Sequence, residues 1–133
     1  MQAAVTVYAD KLDKLLEKKI IQTISDTLST LGQTPIDFAV DVNFVDEKKM
    51  RKLNSDFRQK DYATDVLSFG QFEDILKDKP KGIANPIILG DLVLCESVIS
   101  KEAAEEGKSY EKHLLMLVDH GMKHLLGIHH PED

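Results

Sequence analysis

Hydrophobic residues recur along this chain with two different periods, and the alternation between the periods predicts its elements. Around Ala3 to Tyr8, Val5 and Val7 alternate with other residues, which predicts a short strand. From Lys11 to Leu31, the positions Leu12, Leu15, Leu16, Ile20, Ile24, Leu28 and Leu31 follow helical spacing, and Gly32 ends the pattern. Ile36, Phe38, Val40, Val42 and Phe44 then alternate strictly, as a strand with one buried face does. Asp46 is placed to cap a helix running to about Phe57, with Met50, Leu53 and Phe57 on its inner side. Thr64 to Phe69 reads as another strand. Gly70 to Pro86 reads as a long loop or irregular hairpin, of a length that is often functional. Ile87 to Leu94 is a strand interrupted at Gly90-Asp91. A helix from about Glu96 to Glu106 ends at Gly107, and Ser109 caps a last helix whose inner face includes Leu114, Leu117 and Val118. The order βαβαββαα predicts an α+β fold: one domain over residues 1–133, with a small mixed four-stranded sheet packed by helices.

Composition adds limits. The 133 residues suffice for one core, and 42% hydrophobic with 30% charged residues is ordinary for a globular domain. No apolar run approaches the roughly 18 residues that span a bilayer, and the first residues lack the apolar core of a signal peptide. Cys95 is the single cysteine, which fits a reducing, cytoplasmic setting, and it reads as a small buried hydrophobe. A net charge of −6 argues against coating nucleic acid by bulk positive charge. It leaves room for a local basic groove from Lys48, Lys49, Arg51, Lys52, Arg58 and Lys60 or from Lys77, Lys79 and Lys81. Solvated helix and loop faces are the simpler reading of both groups.

The candidate chemistry lies in the last predicted helix, which carries His120 and His124 four positions apart and therefore on one face. Gly127 can turn the chain there and bring back a third imidazole from the His129-His130 pair, His130 by preference. Three imidazoles with a fourth position open is the layout of a catalytic zinc site. The pattern is zincin-like but has Gly121 where H-E-x-x-H carries its glutamate, so a peptidase reading is weak. An arginine would suit a phosphodiester, because its fork matches phosphate oxygens.

His120-Gly121-Met122-Lys123-His124-Leu125-Leu126-Gly127-Ile128-His129-His130 resembles the H-G-x-L-H-L-x-G-Y-D-H hallmark of the YbeY family of endoribonucleases. Asn54 to Asp61 followed by Thr64-Asp65-Val66-Leu67-Ser68-Phe69 resembles that family's N-x-x-F-R-x-x-D-x-P-T-D-V-L-S-F, and Leu89-Gly90-Asp91-Leu92 its G-D-I strand. The resemblance implies a zincin-like site at the end of the C-terminal helix, with one Zn2+ per chain held by His120, His124 and His130. It implies Arg58 as the catalytic arginine. The implied activity is single-strand-specific, zinc-dependent endoribonuclease cleavage in rRNA 3′-end maturation and ribosome quality control. The implied partner is ribosomal RNA or the small ribosomal subunit, with no membrane and no nucleotide cofactor. A metal-stabilised ribosome-assembly or RNA-binding factor with weak or no catalysis is the alternative. The chain departs from the pattern at Ala63, Asp119, Lys123 and His129, and ends at Asp133 where family members usually continue. Lys123 beside a cation would be repulsive unless it points outward. Asp65 is expected either to bond backbone or to support a ligand histidine, and Asp91 to fix a turn or bulge.

Overall fold

The computed structural model describes residues 3–30, 37–71 and 86–127. Its elements follow the expected order: β1 (Ala3–Tyr8), α1 (Lys14–Ser29), β2 (Phe38–Val45), α2 (Glu47–Arg58), β3 (Val66–Gly70), β4 (Ile87–Cys95), α3 (Glu96–Glu106) and α4 (Tyr110–Leu125). The four strands form one mixed sheet in the order β1-β2-β4-β3, parallel except for β3, which runs antiparallel to β4. Gly32, Ile36 and the segment 72–85, with its three lysines, lie outside the described residues.

Local signals set the helix boundaries. Asp13, Asp46 and Ser109 each accept a hydrogen bond from a backbone N–H three residues on, satisfying a donor that the first helical turn leaves open. Helix α1 therefore starts at Lys14 rather than Lys11. Gly107 ends α3 in the left-handed conformation at φ 68°.

The sheet is covered on both faces. Ile20, Ile24 and Leu28 of α1 and Leu114, Val118 and Met122 of α4 pack with Val40, Val42, Leu92 and Leu94 on one side. Met50 of α2 packs with Leu67, Val93 and Cys95 on the other. Two expectations need correction. Strand β4 is not interrupted at Gly90-Asp91. It runs on through a bulge of its own, since Ala39 pairs with Ile88 and Val40 with Gly90 and Leu89 is the extra residue, as expected of a bulge beside Asp91. Gly90 (φ 141°) lets the chain pass so close to β3 that a Cβ would lie 2.0 Å from the Phe69 carbonyl oxygen. Phe57 does not join the inner face of α2. It is 56% exposed, because the core on that side includes Met50 and Leu53 and stops short of the helix end. Among the described residues, no helix is long and apolar enough to cross a membrane.

Candidate active site

Helix α4 presents His113, Leu117, His120 and His124 along one stripe, at the i, i+4, i+7 and i+11 spacing that keeps side chains on one face. Gly121 brings this helix close to the sheet. A Cβ there would meet Leu92 Cδ2 at 2.8 Å and Val66 Cγ2 at 3.6 Å, so the position has no room for the glutamate of a zincin. The imidazoles of His120 and His124 stand with centroids 4.7 Å apart and planes 49° apart. They open onto a cleft of about 280 Å³ whose other wall is Arg58, Asp65 and Ser68.

The structure thus brings Arg58, His120 and His124 to one cleft. Arg58 is the last residue of α2, and its Nη2 donates to the Ser68 carbonyl at 3.0 Å while its guanidinium carbon lies 5.3 Å from the Phe69 ring centroid. The third expected ligand, His130, lies outside the described residues, as does His129; Gly127 does adopt the left-handed turn (φ 83°) that the sequence suggested. Two histidines four apart on one helix, facing a shared polar cleft, suit zinc as a donor pair.

Lys123 is not among the residues that line the cleft, and its charge is paired. Its ammonium lies 3.0 Å from Asp119 Oδ2, and Asp119 Oδ1 accepts from Thr27 Oγ1 at 2.6 Å. The two departures from the motif therefore compensate each other and tie α4 to α1. Burial works to raise the Asp119 carboxyl, but the bonds from Thr27 and Lys123 outweigh it and hold it below the ordinary aspartate range.

A second cluster lies behind the cleft, unmarked by any motif in the sequence. Asp65, Glu102 and His113 offer ligand atoms within 4.8 Å of one another, a grouping that could hold a metal ion. Asp65 lines the cleft and its Oδ1 accepts from the Val66 N–H at 2.6 Å. Behind it, Glu102 Oε1 lies 3.1 Å from Nε2 of His113, which is 3% exposed. Burial and the adjacent Asp65 carboxyl raise the Glu102 pKa, and His113 partly opposes them. The one available signal was the seven-residue spacing of His113 and His120. Asp65 thus bonds both backbone and a side-chain network, whereas Asp91 sits beside the strand irregularity, its carboxyl raised by burial and by Asp41.

A larger cavity, about 960 Å³, lies at the carboxyl ends of β1, β2 and β4, where open α/β sheets often bind ligands. It is lined by Asp10, Asp46, Glu47 and Glu96 with Lys11 and Lys48, and contains no imidazole. The smaller cleft brings two imidazoles, a carboxylate and a guanidinium together, so the choice of candidate site rests on chemistry rather than size.

Residues 5–133 match the family described as endoribonuclease YbeY. A protein named endoribonuclease YbeY from Pseudomonas putida (strain KT2440) is 47% identical over 103 residues, covering 77% of this chain and 62% of the relative. Another of that name, from Xanthomonas oryzae pv. oryzae, is 50% identical over 92 residues, covering 69% and 55%. The chain spans about three-fifths of the length of the curated relatives it matches. A Thermotoga maritima protein known from its solution structure superposes with a TM-score of 0.61 at 25% identity, covering 97% of this chain and 76% of that one. With both sequence blocks facing one cleft and the match running through all four helices, the chain belongs to the endoribonuclease YbeY family.

Proposed function

We propose that this protein is a metal-dependent endoribonuclease whose single domain spans residues 1–133 and whose zinc ion is held by His120, His124 and His130. Its substrate would be single-stranded ribosomal RNA, cleaved in the cytoplasm during rRNA 3′-end maturation and ribosome quality control. The observation that carries this reading is the shared cleft, in which two imidazoles face an arginine across about 280 Å³. Zinc bound there would supply Lewis acidity toward a phosphodiester oxygen. Arg58 binds and orients the phosphate and offsets charge developing on its oxygens, as preorganised donors do. Its hydrogen bond to Ser68 holds the guanidinium at the cleft wall before substrate arrives. The closed position of Gly121 leaves proton transfer to groups other than a zincin-type glutamate.

The same absence favours a second reading, a metal-stabilised ribosome-assembly or RNA-binding factor with little catalysis. Purified protein incubated with structured ribosomal RNA separates the two, with wild type compared against H124A and R58A. Cleavage should be lost in H124A and reduced at least roughly a hundredfold in R58A, the scale seen when one charge-stabilising donor is removed. RNA binding without cleavage by the zinc-loaded wild type would favour the assembly factor. Cleavage persisting unchanged in both variants would point to a contaminating nuclease. The product ends then report whether water or the RNA's own 2′-hydroxyl attacks, since only the latter leaves a cyclic phosphate.

A further inference from the structure

Phe57 is the residue before Arg58, and more than half of its surface faces solvent, although helical spacing from Met50 and Leu53 would place it inward. Its position is nevertheless fixed. Its ring meets Phe69 of β3 edge-to-face, with centroids 5.2 Å apart and planes 70° apart. Arg58 lies over the same Phe69 ring and is hydrogen-bonded to Ser68. Just beyond, Gln59 is the only non-glycine residue with positive φ among those described, at 56°. A conformation of that kind costs free energy and requires a tight local context. It turns the chain immediately after Arg58, leaving Phe57 and Arg58 as the last side chains that α2 presents.

We infer that Phe57 is a base-stacking position for RNA beside the cleft. The inference rests on the endoribonuclease reading and names how that site grips its substrate. The cleft of about 280 Å³ falls just below the usual range of ligand-pocket volumes, about 300 to 1,000 Å³, so it admits the reacting sugar-phosphate while the flanking bases stay outside. A base leaving the cleft on the Arg58 side meets an exposed aromatic ring braced from behind. Every base has a π-face, so such a platform grips single strands without reading sequence. A paired base is already stacked in its own helix and cannot use the ring. Phe57 therefore supplies a physical basis for preferring unpaired RNA, which neither the histidines nor Arg58 provides.

The chain contains no tryptophan, so F57W introduces a single fluorescent reporter at the proposed contact. The test uses the whole 133-residue chain with a chelator present, so that binding is read without cleavage. The probes are a short unstructured oligoribonucleotide and an abasic strand of equal length. F57W should be quenched by the base-bearing strand and not by the abasic one. F57A should bind the base-bearing strand roughly five- to a hundredfold more weakly, the range for losing one base–aromatic stack. Because stacking releases no counterions, F57A should keep the wild-type slope of log affinity against log salt, whereas R58A should flatten it. Unchanged F57A affinity together with no quenching, in a protein that still binds the RNA, overturns the stacking position and leaves the nuclease reading standing. Equal quenching by the abasic strand also overturns it, because the ring would then be meeting backbone. Absence of any RNA binding by wild type, both with chelator and after zinc is restored, overturns both. Matching thermal melts of F57A and wild type separate these outcomes from misfolding.

Discussion

Gly121 stands where a zincin helix carries its glutamate, and two opposing effects set the cost of giving it a side chain. Alanine favours the helix over glycine by about 1 kcal/mol. Against that, its Cβ would lie 2.8 Å from Cδ2 of Leu92, which is 0% exposed and cannot swing into solvent. Overpacking of this kind costs about 1–3 kcal/mol. G121A should therefore lose up to about 2 kcal/mol net, read from chemical denaturation. Gly90 makes the sharper comparison, because there both a positive φ and a backbone carbonyl oppose the new methyl group. G90A should lose clearly more than G121A, and equal losses would mean that β3 can slide relative to β4.

Between elements, most of the organisation was legible because each helix and strand announces its own period. The capping residues Asp46 and Ser109 were readable for the same reason, since a cap acts on the next three residues. Phe57 was misplaced because periodicity locates a face but not where the opposing core ends. The cluster of Asp65, Glu102 and His113 was not legible as a cluster, because those residues come together only when the start of β3, α3 and α4 pack. That junction should respond to pH. Glu102 has a raised pKa, chiefly through burial and then through Asp65, so the fold gains from its protonated form. This contribution is complete below the ordinary glutamate value of 4.5 and is lost as pH rises through the higher folded value. The stability of wild type relative to E102Q should accordingly be greatest in acid and fall toward neutrality. Paired urea denaturation curves at several pH values measure it, and a difference that grows with pH would show that the Asp65–Glu102 contact is not built on a shared proton.

At the scale of the whole molecule, the sheet order puts the cleft on the edge where antiparallel β3 meets α4, away from the large cavity at the ends of the parallel strands. The imidazole pair sits on a helix that packs against both α1 and β3, so a metal ion held there would brace the whole edge rather than one loop. The placement of His120 and His124 on one helix face and the turn at Gly127 were readable because helical spacing and turn chemistry are local, whereas the approach of Arg58 from α2 could be taken only from the family resemblance. Any ion that binds the folded chain alone stabilises it in proportion to the logarithm of its concentration over its dissociation constant, about 2.7 kcal/mol at a hundredfold excess. Zinc should thus raise the melting temperature of chelator-treated protein progressively with concentration, and H124A should lose most of that rise. Magnesium should do far less, since it favours oxygen ligands over imidazole. If zinc stabilised H124A as much as wild type, the ion would have to sit elsewhere, with Asp65, Glu102 and His113 the next donors to vary. E102Q then decides between the two placements, because it removes a ligand from that cluster while leaving His120 and His124 in place.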